Sequence, residues 1–595
     1  MNKIFEFYPK ISIFIIMKKL LILSACLFFL SEKSFSQTII SPNSTDKKWW
    51  KEAIVYQLYP RSFKDSDGDG VGDLKGIISK LDYLKSLGIN TIWINPIYSS
   101  PNDDNGYDIS NYRDIMKEFG TMADFDALLK GLHERNIKLV MDVVVNHSSD
   151  EHNWFKQSRS SRTSPYRDYY HWWNAEKGTP PYRYSLFDIN HDAWKYDTLT
   201  NAYYLHYFSR KQPDLNWENP KLRQEIYDMM KFWASKGIDG FRLDAFQFAS
   251  KDINFPKFPD GFEKDFIQYY AMGPHLHDYL KEMNERIFSK YPVMSVAEGA
   301  GRNMKEAHEL VDTSRKELNM AYAFECVDIA KQNGYKLLDF KEAFSRWDSA
   351  FAKDGWLAIF LANHDQARLV SRFGNDSPAF RDVSSKMLTT FLMTMRGTPY
   401  YYNGDELGMT NIRFDKIGDY RDVPTLNEYQ YQKKIGGDLN AFMESIKFGC
   451  RDNGRTPFQW DNTKYAGFST GEPWLKVNPN HKTLNAQAQE KDPNSTLNYF
   501  KKIVQLRKRN TVLVYGKYTL LDKANPNVYA YTRVYEGKKI LVLLNFTDKV
   551  ASTNTGLNLA KSKLLLSNYS TNSVKKVMTK TISLRPYEAM IYQLS

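Results

Sequence analysis

The sequence predicts an α/β protein: a closed (β/α)8 barrel with a small domain inserted after strand three and a C-terminal antiparallel β-sandwich. Three observations carry this. After residue 48, strand-like runs alternate with amphipathic stretches eight times, and eight successive βα units argue for a parallel barrel over an open sheet. The interval between Asn146-His147 and Gln212 is too long for a loop. Beyond residue 510 the runs become short and alternating, as antiparallel strands do.

The elements follow in order. Met17-Lys18-Lys19 opens a basic segment, LLILSACLFFL is apolar, and SEKSFSQ offers small residues for cleavage near Ser36 or Gln37. Residues 1–37 therefore read as a signal peptide with an N-terminal extension, and the mature chain as exported, periplasmic or secreted. LSAC at 23–26 resembles a lipidation box, but the apolar run continues past Cys26. Cleavage is favoured over a lipid anchor, and no later stretch is long enough to span a bilayer. The strand candidates are 53–60, 89–98, 138–147, 237–246, 292–299, 321–328, 356–365 and 398–406. Helical stretches such as FDALLKGLHERN and RQEIYDMMKFWASKG separate them, giving a TIM-type barrel. The expected domains are 48–147 (barrel, first part), 148–211 (inserted domain B), 212–510 (barrel, second part) and 511–595 (C-terminal β domain).

Composition mostly excludes. The formal charge of +12 is spread along the chain without a basic run, so no nucleic-acid surface is expected. Of three cysteines, Cys26 lies in the leader, and Cys326 and Cys450 have neither metal spacing nor a disulfide framework. The 39 tyrosines and 13 tryptophans suit sugar rings and large cores alike.

The chemistry collects at strand ends. GIDGFRLDAF puts Arg242 and Asp244 on one face of a buried strand. The third strand ends in Asp142 and Asn146-His147, the fifth in Glu298 and the seventh in His364-Asp365. All these ends open onto one barrel mouth, where barrel enzymes keep their active sites. A lone strand-end carboxylate is usually a cap, but like charges gathered together cost stability unless function uses them. Paired carboxylates without a phosphate loop or cofactor fingerprint point to glycoside hydrolysis. Asp244 is expected to stay ionised beside Arg242. Glu298 is expected to hold a proton, raised by apolar neighbours and nearby acids.

These residues sit in recognisable motifs: DVVVNH (142–147), QPDLNW (212–217), GFRLDAF (240–246), SVAEG (295–299), NHDQAR (363–368), GTPYYYNGDELGM (397–409) and RDNGRTPFQWD (451–461). Over nearly all of 48–595 the chain resembles the α-amylase superfamily of glycoside hydrolases, in its oligo-1,6-glucosidase and α-glucosidase branch. The resemblance implies Asp244 as nucleophile, Glu298 as acid/base and Asp365 as transition-state stabiliser. It further implies that Asp104, Tyr107, His147, Phe187, Arg242 and His364 line the first sugar subsite, with Arg451 pairing to Asp104 behind a non-reducing-end glucose. The chain departs from the family pattern at Ala297 before the glutamate and at Tyr402-Asn403-Gly404 in the last strand, and neither change removes a catalytic group. Ala245, after the nucleophile, is where valine resembles the α-1,6-cleaving type and smaller residues go with α-1,4 bonds, so α-1,4 or mixed specificity is expected.

DSDGDGVGD offers Asp65, Asp67, Asp69 and Asp73 with the Val71 carbonyl, oxygen ligands of the kind hard cations take. Gly76 stands where an EF-hand needs glutamate. The loop instead resembles the metal loop after the first strand of oligo-1,6-glucosidases. It implies a structural Ca²⁺ or Mg²⁺, with Ca²⁺ favoured by ligand count and no cofactor needed for catalysis. The expected function is removal of terminal non-reducing α-linked glucose from short oligosaccharides by a retaining mechanism, with the two carboxyls roughly 5–5.5 Å apart. The alternatives are a glucosyl transferase or isomerase of the trehalose- or sucrose-isomerising kind, and a non-catalytic sugar-binding protein on the same fold. Oligomeric state is not readable from the sequence.

Overall fold

The computed structural model describes residues 47–330, 334–570 and 581–595. The leader at 1–37 lies outside the described residues. No described helix is long and apolar enough to cross a membrane.

Eight parallel strands close the barrel: β1 (Val55–Leu58), β2 (Thr91–Ile94), β3 (Lys138–Val144), β4 (Gly240–Asp244), β5 (Met294–Ala297), β6 (Met320–Tyr322), β7 (Leu357–Ile359) and β8 (Thr398–Tyr402). They neighbour one another in chain order, and β8 pairs back onto β1. Lys138 aside, every residue of these strands is buried, as a sheet covered on both faces requires. The crossover into β4 shows how local sequence sets the geometry. Asn219 caps Pro220–Lys236 by accepting the Lys221 N–H, Pro220 supplies the first helical φ, and Gly237 ends the helix at φ 98°. β4 starts three residues later, in fixed register with both neighbours. Asp142 lies opposite Arg242, Val144 opposite Asp244, and Leu243 opposite Ala297.

The sixth strand is shorter than expected. It ends at Tyr322, and Glu325–Asp328 is helical instead. The apolar run continues past the strand because Cys326 and Val327 are buried on that helix.

Between β3 and β4, residues 172–174, 194–197 and 202–205 form a three-stranded antiparallel sheet. An aromatic cluster joins this segment to the excursion after β4, through Tyr207, Phe248, Phe255, Phe262 and Tyr270. At the C-terminus, strands 517–521, 528–535, 538–545, 589–594 and 563–567 pair in that order. The pair Ala551–Asn554 and Thr581–Leu584 lies against that sheet, with Ile582 and Leu584 packed on Val528, Leu541 and Leu543. Cys326 and Cys450 are buried and unbridged.

Candidate active site

One guanidinium organises the mouth of the barrel. Arg242 is 1% exposed and meets three carboxylates from three adjacent strand ends. Its Nη1 lies 2.8 Å from Asp142 Oδ1 and also bonds Asp244, and its Nη2 lies 2.6 Å from Glu298 Oε1. The other Glu298 oxygen accepts the backbone N–H of Ala245 at 2.8 Å. Ala245 turns the chain sharply there, at φ 44° in the left-handed region, which a side chain adopts only at a cost.

This arrangement corrects one sequence expectation. Arg242 does not leave Asp244 an ordinary ionised carboxylate. Burial first, then the charge of Glu298, pushes the Asp244 carboxyl well above its usual range, against the pull of Arg242. Both oxygens of Glu298 have partners, a guanidinium and an amide. One cation facing three acids makes it costly to ionise all three. Burial also raises Asp142 to about 6, although Arg242 and the Trp93 N–H at 2.8 Å both favour its charge.

Across the mouth two arginines reverse the balance. Arg451 spans Asp104 (3.2 Å), Asp365 (3.0 Å) and Asp422 (2.6 Å). Arg455 adds a second contact to Asp365 at 3.0 Å and one to Asp422 at 3.3 Å. Burial alone would raise Asp365, but the neighbouring His364, through the N–H that faces it, and the charges of Arg451 and Arg455 hold it well below the usual carboxylate range. A third of its side chain stays exposed, so it can reach a ligand. Asp104, more deeply buried, is raised to about 6 despite the same arginines.

The remaining predicted residues fall around these two groups. Tyr107 stacks on His364 with ring centres 5.1 Å apart, and its hydroxyl donates to Asp142 Oδ2 at 3.3 Å. Gln57 donates its amide N–H to His364 Nδ1 at 2.8 Å, so Nε2 carries the hydrogen that faces Asp365 at 3.2 Å. Burial keeps both His147 and His364 neutral, each lowered to about 3. His147 Nε2 lies 3.1 Å from Gln212, whose amide also donates to Asp104 at 3.2 Å. Phe187, from the inserted segment, puts its ring 5.0 Å under the Arg451 guanidinium.

The structure thus brings Asp104, Tyr107, His147, Phe187, Arg242, Asp244, Glu298, His364, Asp365 and Arg451 to one mouth. Sequence reading missed Asp422, Arg455, Gln212 and the buried Lys251–Asp214 pair (3.2 Å) that braces Asn146. Arg455 and Gln212 were within reach, because each sits inside a motif already singled out. Asp422 carried no signal, because it acts by holding two arginines from a loop.

The acidic loop follows β1. Among the described residues, Asp65, Asp67 and Asp73 offer carboxylate oxygens within 4.8 Å of one another. Asp69 is not part of that group, and its Oδ1 accepts the Val71 N–H at 2.8 Å. Asp65 accepts from the N–H groups of Asp67, Gly68 and Gly70, and Asp73 caps the next helix. The three converging oxygens suit a hard cation.

Comparison with known proteins agrees with this geometry. The family profile described as alpha amylase, catalytic domain, matches residues 57–516, and that described as maltogenic amylase, C-terminal domain, matches 518–591. The chain belongs to the alpha-amylase family of glycoside hydrolases. It is 49% identical over 566 residues to the oligo-1,6-glucosidase of Parageobacillus thermoglucosidasius, covering 92% of this chain and 99% of the relative. It is also 49% identical over 564 residues to the Bacillus cereus oligo-1,6-glucosidase, covering 92% and 100%. Among solved structures, isomaltulose synthase from Klebsiella sp. LX3 superposes with a TM-score of 0.89 at 43% identity, covering 92% of this chain and all of that one. Within the family the chain is of the α-glucosidase type.

Proposed function

We propose that the protein hydrolyses terminal non-reducing α-linked glucose, through α-1,4 bonds, α-1,6 bonds or both, from short oligosaccharides with retention of configuration. The observation that carries the mechanism is the single Arg242 guanidinium holding Asp244 and Glu298 at adjacent strand ends. An Asp244 oxygen attacks the anomeric carbon as the bond to the leaving oxygen breaks, and Glu298 gives that oxygen its proton. Water then attacks the same carbon, Glu298 takes the water's proton, and the bond to Asp244 breaks. The mechanism requires Asp244 ionised and Glu298 protonated when substrate is bound. Asp365 stays ionised throughout and accepts hydrogen bonds from ring hydroxyls as positive charge develops. His147, His364 and Tyr107 orient the ring. Asp104, Arg451 and Phe187 close the pocket behind it.

A panel of maltose, isomaltose, panose and starch tests this, with NMR following the first anomer released. α-Glucose is expected from the disaccharides. β-Glucose as first product would overturn the retaining mechanism, and strong starch cleavage with little action on maltose would overturn the closed pocket.

The likeness to isomaltulose synthase favours a second reading, glucosyl transfer or isomerisation, and product analysis on sucrose separates it from hydrolysis. A non-catalytic sugar-binding role requires Asp244→Asn to match the parent in every assay. We also propose export through the 17–37 leader, to be checked by fractionating the native host. For the acidic loop we propose a structural Ca²⁺ or Mg²⁺ held by Asp65, Asp67, Asp73 and the Val71 carbonyl. It would tie the loop together and take no part in the reaction.

A further inference from the structure

The acid that holds the two arginines also starts a helix, and that helix reaches the segment bearing Phe187. Val423–Ile435 begins after Asp422, whose side chain does not cap it. The Asp422 carboxylate goes instead to Arg451 at 2.6 Å, Arg455 at 3.3 Å and the Thr425 hydroxyl at 2.5 Å. Of the 13 residues in the helix only Thr425 is buried. Little apolar burial seats it, so the contacts of its side chains carry weight.

Those contacts fall on one face. Asn427, Glu428, Tyr431 and Lys434 follow the three- and four-residue spacing of neighbours on a helix, and all four meet residues 187–191 of the inserted segment. The Asn427 amide donates to the Phe187 carbonyl at 2.7 Å. One Glu428 oxygen lies 2.8 Å from His191 Nε2, and the other accepts from Gln432 at 2.7 Å, which aims the carboxylate. The Tyr431 ring centre lies 4.2 Å from that of His191, and Lys434 donates to Asn190 at 3.1 Å.

From its own side the segment is anchored at Asp188, which accepts the Asn190 N–H at 2.8 Å and pairs with Arg210 at 2.7 Å. His191 sits at φ 56°, a conformation that costs energy for a residue with a side chain and persists only where its surroundings enforce it. The helix grips the segment at that residue. Phe187 sets its ring 5.0 Å from the Arg451 guanidinium and 5.4 Å from Phe208, which in turn lies 5.0 Å from the His147 ring. A shift of Phe187 is therefore felt at Arg451 and at His147 together.

We propose that Asn427 and Glu428 are positioning residues for the glucose pocket: they grip the segment that carries Phe187, set that ring against Arg451, and so fix how tightly the non-reducing-end glucose is held. The proposal rests on the α-glucosidase reading of the site and adds to it residues that touch no substrate. One helix then places both parts of the closed end, Arg451 through Asp422 at its start and Phe187 through its middle. The grip acts on the binding wall and not on Asp244 or Glu298. Ground state and transition state lose the same interaction, so affinity changes and turnover does not.

The test measures glucose affinity by calorimetry, and KM and kcat on maltose, for Asn427→Ala, Phe187→Ala and the double variant. Asn427→Ala is expected to weaken glucose binding and raise KM by roughly three- to tenfold, the scale of one hydrogen bond, with kcat within about twofold of the parent. In the Phe187→Ala background the same change is expected to add less than about twofold, because the ring it positions is gone. Glu428→Ala is expected to weaken binding in the same sense. Glu428→Gln, whose amide oxygen still accepts the His191 N–H, restores most of it. KM does not depend on the active fraction of a preparation, so partial loss of folding cancels. Unchanged affinity in Asn427→Ala would overturn the proposal. So would the full loss persisting without the Phe187 ring, which would give Asn427 a structural role only. A parent that binds glucose with this dependence but cleaves neither maltose nor isomaltose would remove the α-glucosidase reading and leave the positioning role standing.

Discussion

The two sides of the barrel mouth solve opposite electrostatic problems. On one side a single arginine serves Asp142, Asp244 and Glu298, and the carboxyls of Asp142 and Asp244 are raised. On the other, two arginines serve Asp104, Asp365 and Asp422, and Asp365 and Asp422 are held low. All of these side chains are acids near guanidinium groups. Burial raises Asp142 and Asp244, and Asp104 as well on the two-arginine side, and Asp365 and Asp422 are held low only where two guanidiniums outweigh it. A glycosidase needs both within reach of one ring, a mobile proton for the leaving group and a standing charge for the oxocarbenium-like centre.

The sharpest way to break this contrast is to neutralise one acid on each side. Asp244→Asn is expected to lower kcat on maltose by about 10⁴-fold or more, because it removes the attacking atom. Asp365→Asn should cost about 10²–10³-fold, the scale of a lost electrostatic stabiliser. Equal losses would mean the two sides are not functionally distinct.

Arg455→Ala tests the two-arginine side. It leaves buried Asp422 and part-exposed Asp365 to Arg451 alone, and removing one partner of a buried pair costs about 3–5 kcal/mol. Asp365 is depressed in the folded state. Its contribution to stability is therefore present above the unfolded value of about 4 and is lost as pH falls toward the folded value. The gap in Tm between parent and variant should accordingly be widest near neutrality and narrow below about pH 4. A gap that does not change with pH would assign Arg455 to packing instead.

Glu298→Gln tests the one-arginine side with a smaller effect. On an aryl α-glucoside whose leaving group needs no proton, the residual activity depends on ionised Asp244. Without the Glu298 charge, the acid limb of the pH–rate profile should move to lower pH. An unmoved limb would show that burial alone sets the Asp244 carboxyl.

The smallest expected effect belongs to the acidic loop, whose carboxylates contact neither arginine group. Chelation should lower Tm by a few degrees and leave the initial rate on maltose at 25 °C unchanged, with added Ca²⁺ restoring Tm. A fall in kcat at constant Tm would contradict a purely structural ion.

Much of this was legible before any coordinates. Strand-end residues reported their own convergence, because a barrel sends every such position to one face. Arg242 and Asp244 announced themselves as an expensive pair on an apolar strand. Residues acting through others stayed hidden. Asp422 looks like any loop aspartate until Arg451 and Arg455 are seen to share it. The proton balance was hidden too. The sequence puts Arg242 two residues from Asp244, and only the fold brings in Asp142 and Glu298 to divide the same guanidinium. The short sixth strand was misjudged because its apolar residues continue into a buried helix.

The amide that fastens Glu298 comes from the main chain of Ala245. Every amino acid but proline carries that same donor, but the left-handed φ of 44° at residue 245 penalises bulky and β-branched side chains there. The Ala245 side chain lines the cleft beside Glu298. The acid is thus anchored by main chain, so its tether and the side chain at residue 245 are set by different atoms of one residue.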